Sequence, residues 1–110
     1  MKKFLLIYRM DMAVMQKMMK ENPEMGKKGQ EEWGMWMKKN MPHFADPGAP
    51  VGKNTEYSSA GAVEKSNDVA GYSIINAESK EAVTALLADN PHFKMPGATA
   101  DVMEIINMGM

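Results

Sequence analysis

The sequence of 110 residues contains no cysteine, and this absence excludes several classes of protein at once. A chain without thiols has no disulfide scaffold, no zinc ribbon and no cysteine nucleophile. The net charge is also close to zero, at -1 from 13 basic and 14 acidic residues. A balanced chain lacks the positive footprint by which proteins attract nucleic acids and anionic membranes. We therefore expect neither nucleic acid nor membrane as a partner.

Long hydrophobic runs and targeting segments are lacking as well. The apolar stretch near the start covers only residues 4–8, and the charged Arg9 and Asp11 follow it directly. A secretion signal needs about 7–15 apolar residues, and a membrane span needs roughly 18–20. The sequence therefore predicts a single cytoplasmic domain over residues 1–110.

Motifs for nucleotide and hydrolase chemistry are absent too. The sequence contains no Walker loop, no G-x-G-x-x-G, no G-x-S-x-G and no H-E-x-x-H. Nucleotide-dependent chemistry and serine hydrolysis therefore have no support in the residues. We expect no cofactor and no bound metal.

Methionine is what the sequence has in excess, with 14 residues in 110. A cluster occupies residues 10–19, and a second follows over residues 35–41. Three interpretations stay open for these side chains: flexible filling of the core, the lining of a groove for an apolar partner, or thioether ligation of Cu(I). The spacing follows helix periodicity more than a ligand geometry, which favours core filling beside the tryptophans.

Hydrophobic periodicity predicts an alternation of strands and helices. Residues 3–9 are almost wholly apolar and too few for a normal helix, so they predict a strand buried on both faces. Asp11 is placed to cap a short helix through Lys20, and Pro23 begins a second helix that ends at Asn40. The remaining predicted segments are a loop over 41–54, strands over 55–59, 69–77 and 101–108, and a helix capped by Ser79.

The predicted order of elements, β-α-β-β-α-β, is that of a ferredoxin-like α+β domain. Such a protomer has an antiparallel sheet with both helices on one face, and the other face needs cover. Because the first strand is apolar on both sides, a free monomer would expose an apolar patch that soluble monomers avoid. We therefore expect a symmetric homodimer in which two sheets pack face to face.

Several segments in chain order resemble YCII-related proteins, which are also known for an Asp-Gly-Pro-Phe motif. The matching segments are residues 1–9, Trp33 with Trp36, 46–52, 71–79, 90–93, 96–98 and 102–105. The resemblance implies a dimeric α+β barrel of ferredoxin-like protomers. It implies little chemistry, because related barrels include both isomerases and oxygenases. At 58–62, where the family motif belongs, this chain has Ser-Ser-Ala-Gly-Ala, so no role of the motif's aspartate carries over.

Two histidines and one aspartate are the candidates for chemistry. His43 and Asp46 lie three residues apart, and a carboxylate beside an imidazole raises its basicity, as a general base requires. The resemblance adds weight, because a His–Asp pair has been suggested to act in YCII-related proteins. His92 is either a second residue of the same cleft or a donor to free carbonyls at a helix end. The spacing of these three residues does not support a metal site.

Arg9 and Trp36 join His92 as candidate substrate-binding residues. Arg9 is either an anchor for a carboxylate or one half of an ordinary salt bridge at the end of a strand. Trp36 either lines an aromatic pocket with Trp33 or packs in the core.

Two functions remain open from these residues. The first is a small-molecule enzyme or binder, with His43 as acid or base and Asp46 orienting it in a cleft between sheet and helices. The second is a non-catalytic homodimeric module that binds a ligand or a protein through a surface lined by methionine and tryptophan.

Overall fold

The computed structural model describes residues 1–108 and has the mixed α+β architecture that the sequence predicts. Its strands are β1 (Lys2–Arg9), β2 (Phe44–Pro50), β3 (Thr55–Ser58), β4 (Gly61–Glu64), β5 (Val69–Ala77) and β6 (Thr99–Glu104). Its helices are α1 (Met12–Glu21), α2 (Pro23–Asn40) and α3 (Lys80–Leu87), with short 3₁₀ turns at Met41–His43 and Pro91–Lys94. None of the helices within residues 1–108 is long and apolar enough to cross a membrane.

Four strands form one antiparallel sheet in the order β2–β5–β1–β6, and β3 and β4 form a separate hairpin. The inner strand β1 pairs with β5 on one side and β6 on the other. Its side chains alternate, so that Phe4, Leu6 and Tyr8 are buried while Leu5 and Ile7 are half-buried. The strand is therefore covered fully on one face and only partly on the other, so the predicted burial on both faces is wrong for the single chain.

The core lies between one face of the sheet and the helices α2 and α3. Its buried members are Phe4, Leu6, Tyr8, Ile75, Ala77 and Val83. Trp33 of α2 and Leu86 of α3 pack against this one cluster, so both helices lie on the same face. The molecule is correspondingly flat, only 19 Å through its thinnest direction, as two layers require.

Helices α1 and α2 form where the sequence predicts them, with α1 ending at Glu21, one residue beyond the predicted Lys20. One carboxylate oxygen of Asp11 accepts hydrogen bonds from the backbone N–H of Ala13 at 2.9 Å and of Val14 at 3.3 Å. The dipeptide Asn22–Pro23 then separates α1 from α2. Unlike α2, helix α1 buries none of its residues, which places it at the rim of the helix layer.

The loop predicted over 41–54 is wrong in its first half, because β2 forms there. Pro47, Gly48 and Pro50 are loop signals, but β2 is an edge strand, where proline is tolerated because one row of N–H groups has no partner. Gly48 sits at an irregularity of the pairing with a φ of 75°. A side chain there would overlap the carbonyl oxygen of Tyr72, so glycine is required.

The structure also corrects the predictions for two other strands. The segment predicted as a strand over 55–59 is not part of the main sheet, since β3 pairs only with β4 in the hairpin. The last strand runs over Thr99–Glu104 rather than 101–108, and the apolar side chains of Ile105 and Ile106 beyond it are exposed.

Candidate functional site

A cavity of about 560 Å³ lies between the sheet and helices α1 and α2. Small-molecule sites commonly have about 300–1,000 Å³, so this volume is that of a ligand pocket. The sheet contributes Tyr8, Ser73 and the backbone around Gly48, and the helices contribute Met15 and Trp33. The cavity therefore occupies the place predicted for a cleft, between sheet and helices.

Four methionines, Met10, Met12, Met15 and Met37, line this cavity. Met10 is buried, whereas the other three are half-buried. The core-filling interpretation is therefore wrong for Met12, Met15 and Met37. Met12 and Met15 lie on α1, which packs at the rim of the helix layer, and Met37 lies on α2; all three line the cavity and stand outside the buried core cluster. Unbranched thioether side chains adapt their shape to an apolar partner.

Tyr8, Asn90 and His92 form a buried polar network beside the cavity. The side-chain amide of Asn90 donates from Nδ2 to the hydroxyl oxygen of Tyr8 at 3.1 Å. Its Oδ1 accepts from the backbone N–H of His92 at 2.8 Å. The rings of Tyr8 and His92 meet edge to face with their centroids 5.0 Å apart. Asn90 thus links the hydroxyl of Tyr8 to the backbone of His92.

Two backbone carbonyls hold the ring of His92. Its Nε2 lies 3.0 Å from the carbonyl oxygen of Arg9 and 2.8 Å from that of Thr99. Because carbonyl oxygens only accept hydrogen bonds, Nε2 carries the proton that it donates to them. Both alternatives predicted for His92 hold in part: it lines the cavity, and it donates to carbonyls, although these belong to strands and not to a helix end.

Burial keeps the hydroxyl of Tyr8 protonated. Loss of solvent raises the pKa of Tyr8 to about 12, against the opposing effect of its hydrogen bonds with Asn90 and Ser73. Ser73 donates its own proton to the carbonyl oxygen of Pro47 at 2.7 Å. At neutral pH the cavity therefore presents a phenol and not a phenolate.

His43 and Asp46 do not form the predicted pair. The carboxylate of Asp46 accepts from the backbone N–H of Gly48 at 2.8 Å and from the hydroxyl of Tyr72 at 3.4 Å. This arrangement shapes the irregular part of β2, as Asx turns do. Within residues 1–108, His43 makes no hydrogen bond with Asp46, and its side chain is exposed outside the cavity lining. No cluster of three or more metal-ligating side chains occurs in the same range.

Arg9 lies beside a second depression, of about 450 Å³, and not in the apolar cavity. Its Nε lies 2.6 Å from a carboxylate oxygen of Asp101, and its Nη1 lies 2.5 Å from one of Asp68. The hydrogen bonds to Asp101 and Asp68 raise the pKa of Arg9 above its already high value. Of the two alternatives predicted for Arg9, the structure therefore shows the salt bridge at the end of a strand.

Trp36 belongs to the core and does not line the cavity. It is 4% exposed, and its Nε1–H donates to a carboxylate oxygen of Asp89 at 3.1 Å. Its ring meets those of Trp33 and Phe44 edge to face, each at 5.7 Å between centroids. One turn back on α2, Trp33 is the tryptophan that reaches the cavity.

The network around Tyr8 was missed at the level of sequence, although each residue carried a weak signal. Tyr8 is the only polar-tipped side chain in the apolar run of β1. Asn90 precedes a proline, which favours its interpretation as a helix stop and conceals its hydrogen bonds to Tyr8 and His92. Their proximity depends on tertiary contacts between residues 82 positions apart.

No family model, curated protein or solved structure matches the chain. The function is therefore inferred from the chemistry of the cavity.

Proposed function

We propose that the protein binds a small, largely apolar molecule in the cavity between its sheet and helices α1 and α2. The observation that carries this proposal is the lining, in which thioethers and the ring of Trp33 surround a concave volume of about 560 Å³. A few polar groups, those of Tyr8, Ser73 and His92, lie on one side. Apolar walls with a small number of fixed polar atoms are typical of ligand sites.

Binding is favoured over acid–base catalysis by His43. A general base needs an oriented partner and access to the substrate, and His43 lies apart from both Asp46 and the cavity. His92 does line the cavity, but its Nε2 is held by two carbonyl oxygens. We therefore place the protein closer to the second of the two functions that the sequence leaves open, with a small molecule as the ligand.

We further propose that the chain is a ferredoxin-like protomer of the YCII-related type. The sheet order β2–β5–β1–β6, with α2 and α3 on one face, agrees with that unit when β2 is counted as its second strand. The segments that resemble the family supply the second line of support. The hairpin of β3 and β4 occupies the place of the missing Asp-Gly-Pro motif.

A homodimer through the second face of the sheet belongs to the same proposal. Leu5, Ile7, Tyr72 and Ile74 lie on that face, where register places Leu5 opposite Ile74 and Ile7 opposite Tyr72. All four are only half-buried in the single chain, and a second copy would cover them. Sedimentation velocity at micromolar concentration should give twice the protomer mass. A monomer under these conditions would contradict the dimer and leave the ligand site unaffected.

A thermal-shift screen of small neutral aromatic compounds tests the ligand site, with Trp33 fluorescence as the second readout. We expect at least one compound to raise the melting temperature of the wild type. Met15→Lys places a charge in the wall of the cavity and should abolish this rise. Met35→Lys makes the same change on the exposed side of α2 and should preserve it. Equal responses from both variants would place the binding elsewhere.

A further inference from the structure

The lining of the cavity carries no Asp, Glu, Lys or Arg among the residues that the structure describes. Its titratable members are Tyr8, Tyr72 and His92. An ion that entered would leave water without meeting an opposite charge, and an unpaired ion is expensive to bury. The wall therefore discriminates against charged ligands.

Charged side chains are present at the same end of the sheet, but they surround the neighbouring depression. Arg9, Asp11 and Asp68 line that depression, and Arg9 is neutralised by Asp68 and Asp101. The charged side chains thus line the depression, and the apolar side chains line the adjacent cavity. Met10 and Met12 border both.

The hydroxyl of Tyr8 is the hydrogen-bond donor best placed for a ligand. Its oxygen accepts from Asn90, and its second hydrogen-bond partner is Ser73, so a ligand acceptor would compete with Ser73 for the proton of the hydroxyl. The ring is held edge to face between Trp33, at 5.1 Å between centroids, and His92. A donor fixed in this way loses little conformational entropy when a ligand binds.

We infer that the ligand of this cavity is an uncharged aromatic molecule that carries a carbonyl or similar acceptor, and that this acceptor receives the proton of the Tyr8 hydroxyl. The inference rests on the proposed function and adds the chemical class of the ligand to it. Aromatic character follows from the thioethers and the Trp33 ring, which contact π faces favourably.

Three probes of one shape test the inference on the wild-type chain: naphthalene, 2-acetylnaphthalene and 2-naphthoate. Titration calorimetry or Trp33 quenching gives the three dissociation constants. We expect 2-acetylnaphthalene to bind roughly 2–10-fold more tightly than naphthalene, as one hydrogen bond allows. We expect 2-naphthoate to bind at least about 10-fold more weakly than 2-acetylnaphthalene, because its charge has no partner.

Tyr8→Phe removes the donor and should erase the advantage of 2-acetylnaphthalene over naphthalene. Naphthalene affinity in the same variant reports whether the cavity is intact, which matters because Asn90 loses its acceptor. Tyr57→Phe, at an exposed tyrosine outside the lining, is the control and should keep the advantage. Met15→Lys supplies a cation on a helix that buries no residue, and should reverse the preference toward 2-naphthoate.

The outcomes distinguish failure of the inference from failure of the proposed function. If the wild type binds 2-naphthoate most tightly in the cavity, the inference on ligand class is overturned and the ligand site stands. If 2-acetylnaphthalene and naphthalene bind equally, or if Tyr8→Phe keeps the difference, the contact with Tyr8 is overturned. If none of the three probes binds, the ligand site itself loses its support together with the inference.

Discussion

Tyr8 belongs to the core and to the cavity at once. Its ring is part of the buried cluster with Phe4 and Leu6, and its hydroxyl reaches the polar network of Asn90 and His92. A phenol satisfies both surroundings because its body is apolar and its tip forms hydrogen bonds. Phenylalanine would pack equally well in the core but could not form the hydrogen bond with Asn90.

The raised pKa of Tyr8 makes stability depend on alkaline pH. The folded state holds the proton up to a pKa of about 12, whereas the unfolded chain releases it near 10.0. The contribution of the protonated Tyr8 to the free energy of unfolding is therefore complete below pH 10. It is lost as the pH rises toward 12, and the total loss is about 2–3 kcal/mol. Urea unfolding across this range should show an extra loss of stability in the wild type relative to Tyr8→Phe.

Tyrosinate absorbance supplies the control for this prediction. One of the three tyrosines should ionise late or only on unfolding, and Tyr8→Phe should remove that step. Tyr57→Phe, at a side chain that is 78% exposed, should leave it in place. A normal ionisation of all three tyrosines in the folded chain would contradict the burial of Tyr8.

At the scale of elements, β2 is the strand on which the site depends and the one that the sequence conceals. Its edge position tolerates Pro47 and Pro50, so the usual strand signals are missing. Gly48 allows the chain to pass against the carbonyl oxygen of Tyr72, and Asp46 caps the irregular turn. The segment then forms one wall of the cavity.

Gly48→Ala should destabilise the fold by about 2 kcal/mol or more, because the left-handed backbone and the overlap with Tyr72 both act against a side chain. Gly34→Ala on α2 is the matched control. A side chain at Gly34 meets open space, and alanine is the better helix former by about 0.5–1 kcal/mol, so this variant should gain stability. Denaturant midpoints measure both. Equal effects from the two substitutions would contradict the assigned geometry of β2.

The helices and inner strands were predictable because their signals are local. The Asp11 cap, the Asn22–Pro23 break and the apolar run of β1 each act within a few residues, and the structure confirms the helices and the strand that they predict, although β1 is fully buried on one face only. The site was not predictable to the same degree, because Tyr8, Asn90 and Trp33 meet only through packing. His43 and Asp46 are close in sequence, but the hydrogen bonds of Asp46 to Gly48 and Tyr72 direct its carboxylate elsewhere.

At the scale of the whole molecule, stability is distributed unevenly around the cavity. The sheet side rests on the buried cluster, whereas α1 buries no residue and is held by the Asp11 cap and by packing on α2, where Met19 lies against Gly26. Local opening favours such elements, because little apolar contact is lost when they separate. The helix therefore acts as the more loosely held wall.

Hydrogen exchange should reveal this difference. We expect amides of α1 to exchange faster than those of β1 and β5, and a bound ligand to slow α1 most, since Met12 and Met15 line the cavity. Mass spectrometry of the free chain and of its complex with 2-acetylnaphthalene measures both effects. The exposed hairpin of β3 and β4 is the internal control, because it does not border the cavity. Equal protection of α1 and β1 in the free chain would contradict the assigned role of α1.

The thioether wall also has a consequence for oxidative chemistry. Peroxide converts methionine to its sulfoxide, which replaces a soft apolar sulfur by a polar acceptor, and reductases reverse the change. Met12, Met15 and Met37 are only half-buried, so they should be oxidised before the buried Met10. Oxygen atoms added to these three side chains would make the helix side of the cavity polar without altering the sheet. The same side chains that adapt to an apolar ligand thus make its retention sensitive to the redox state of the surroundings.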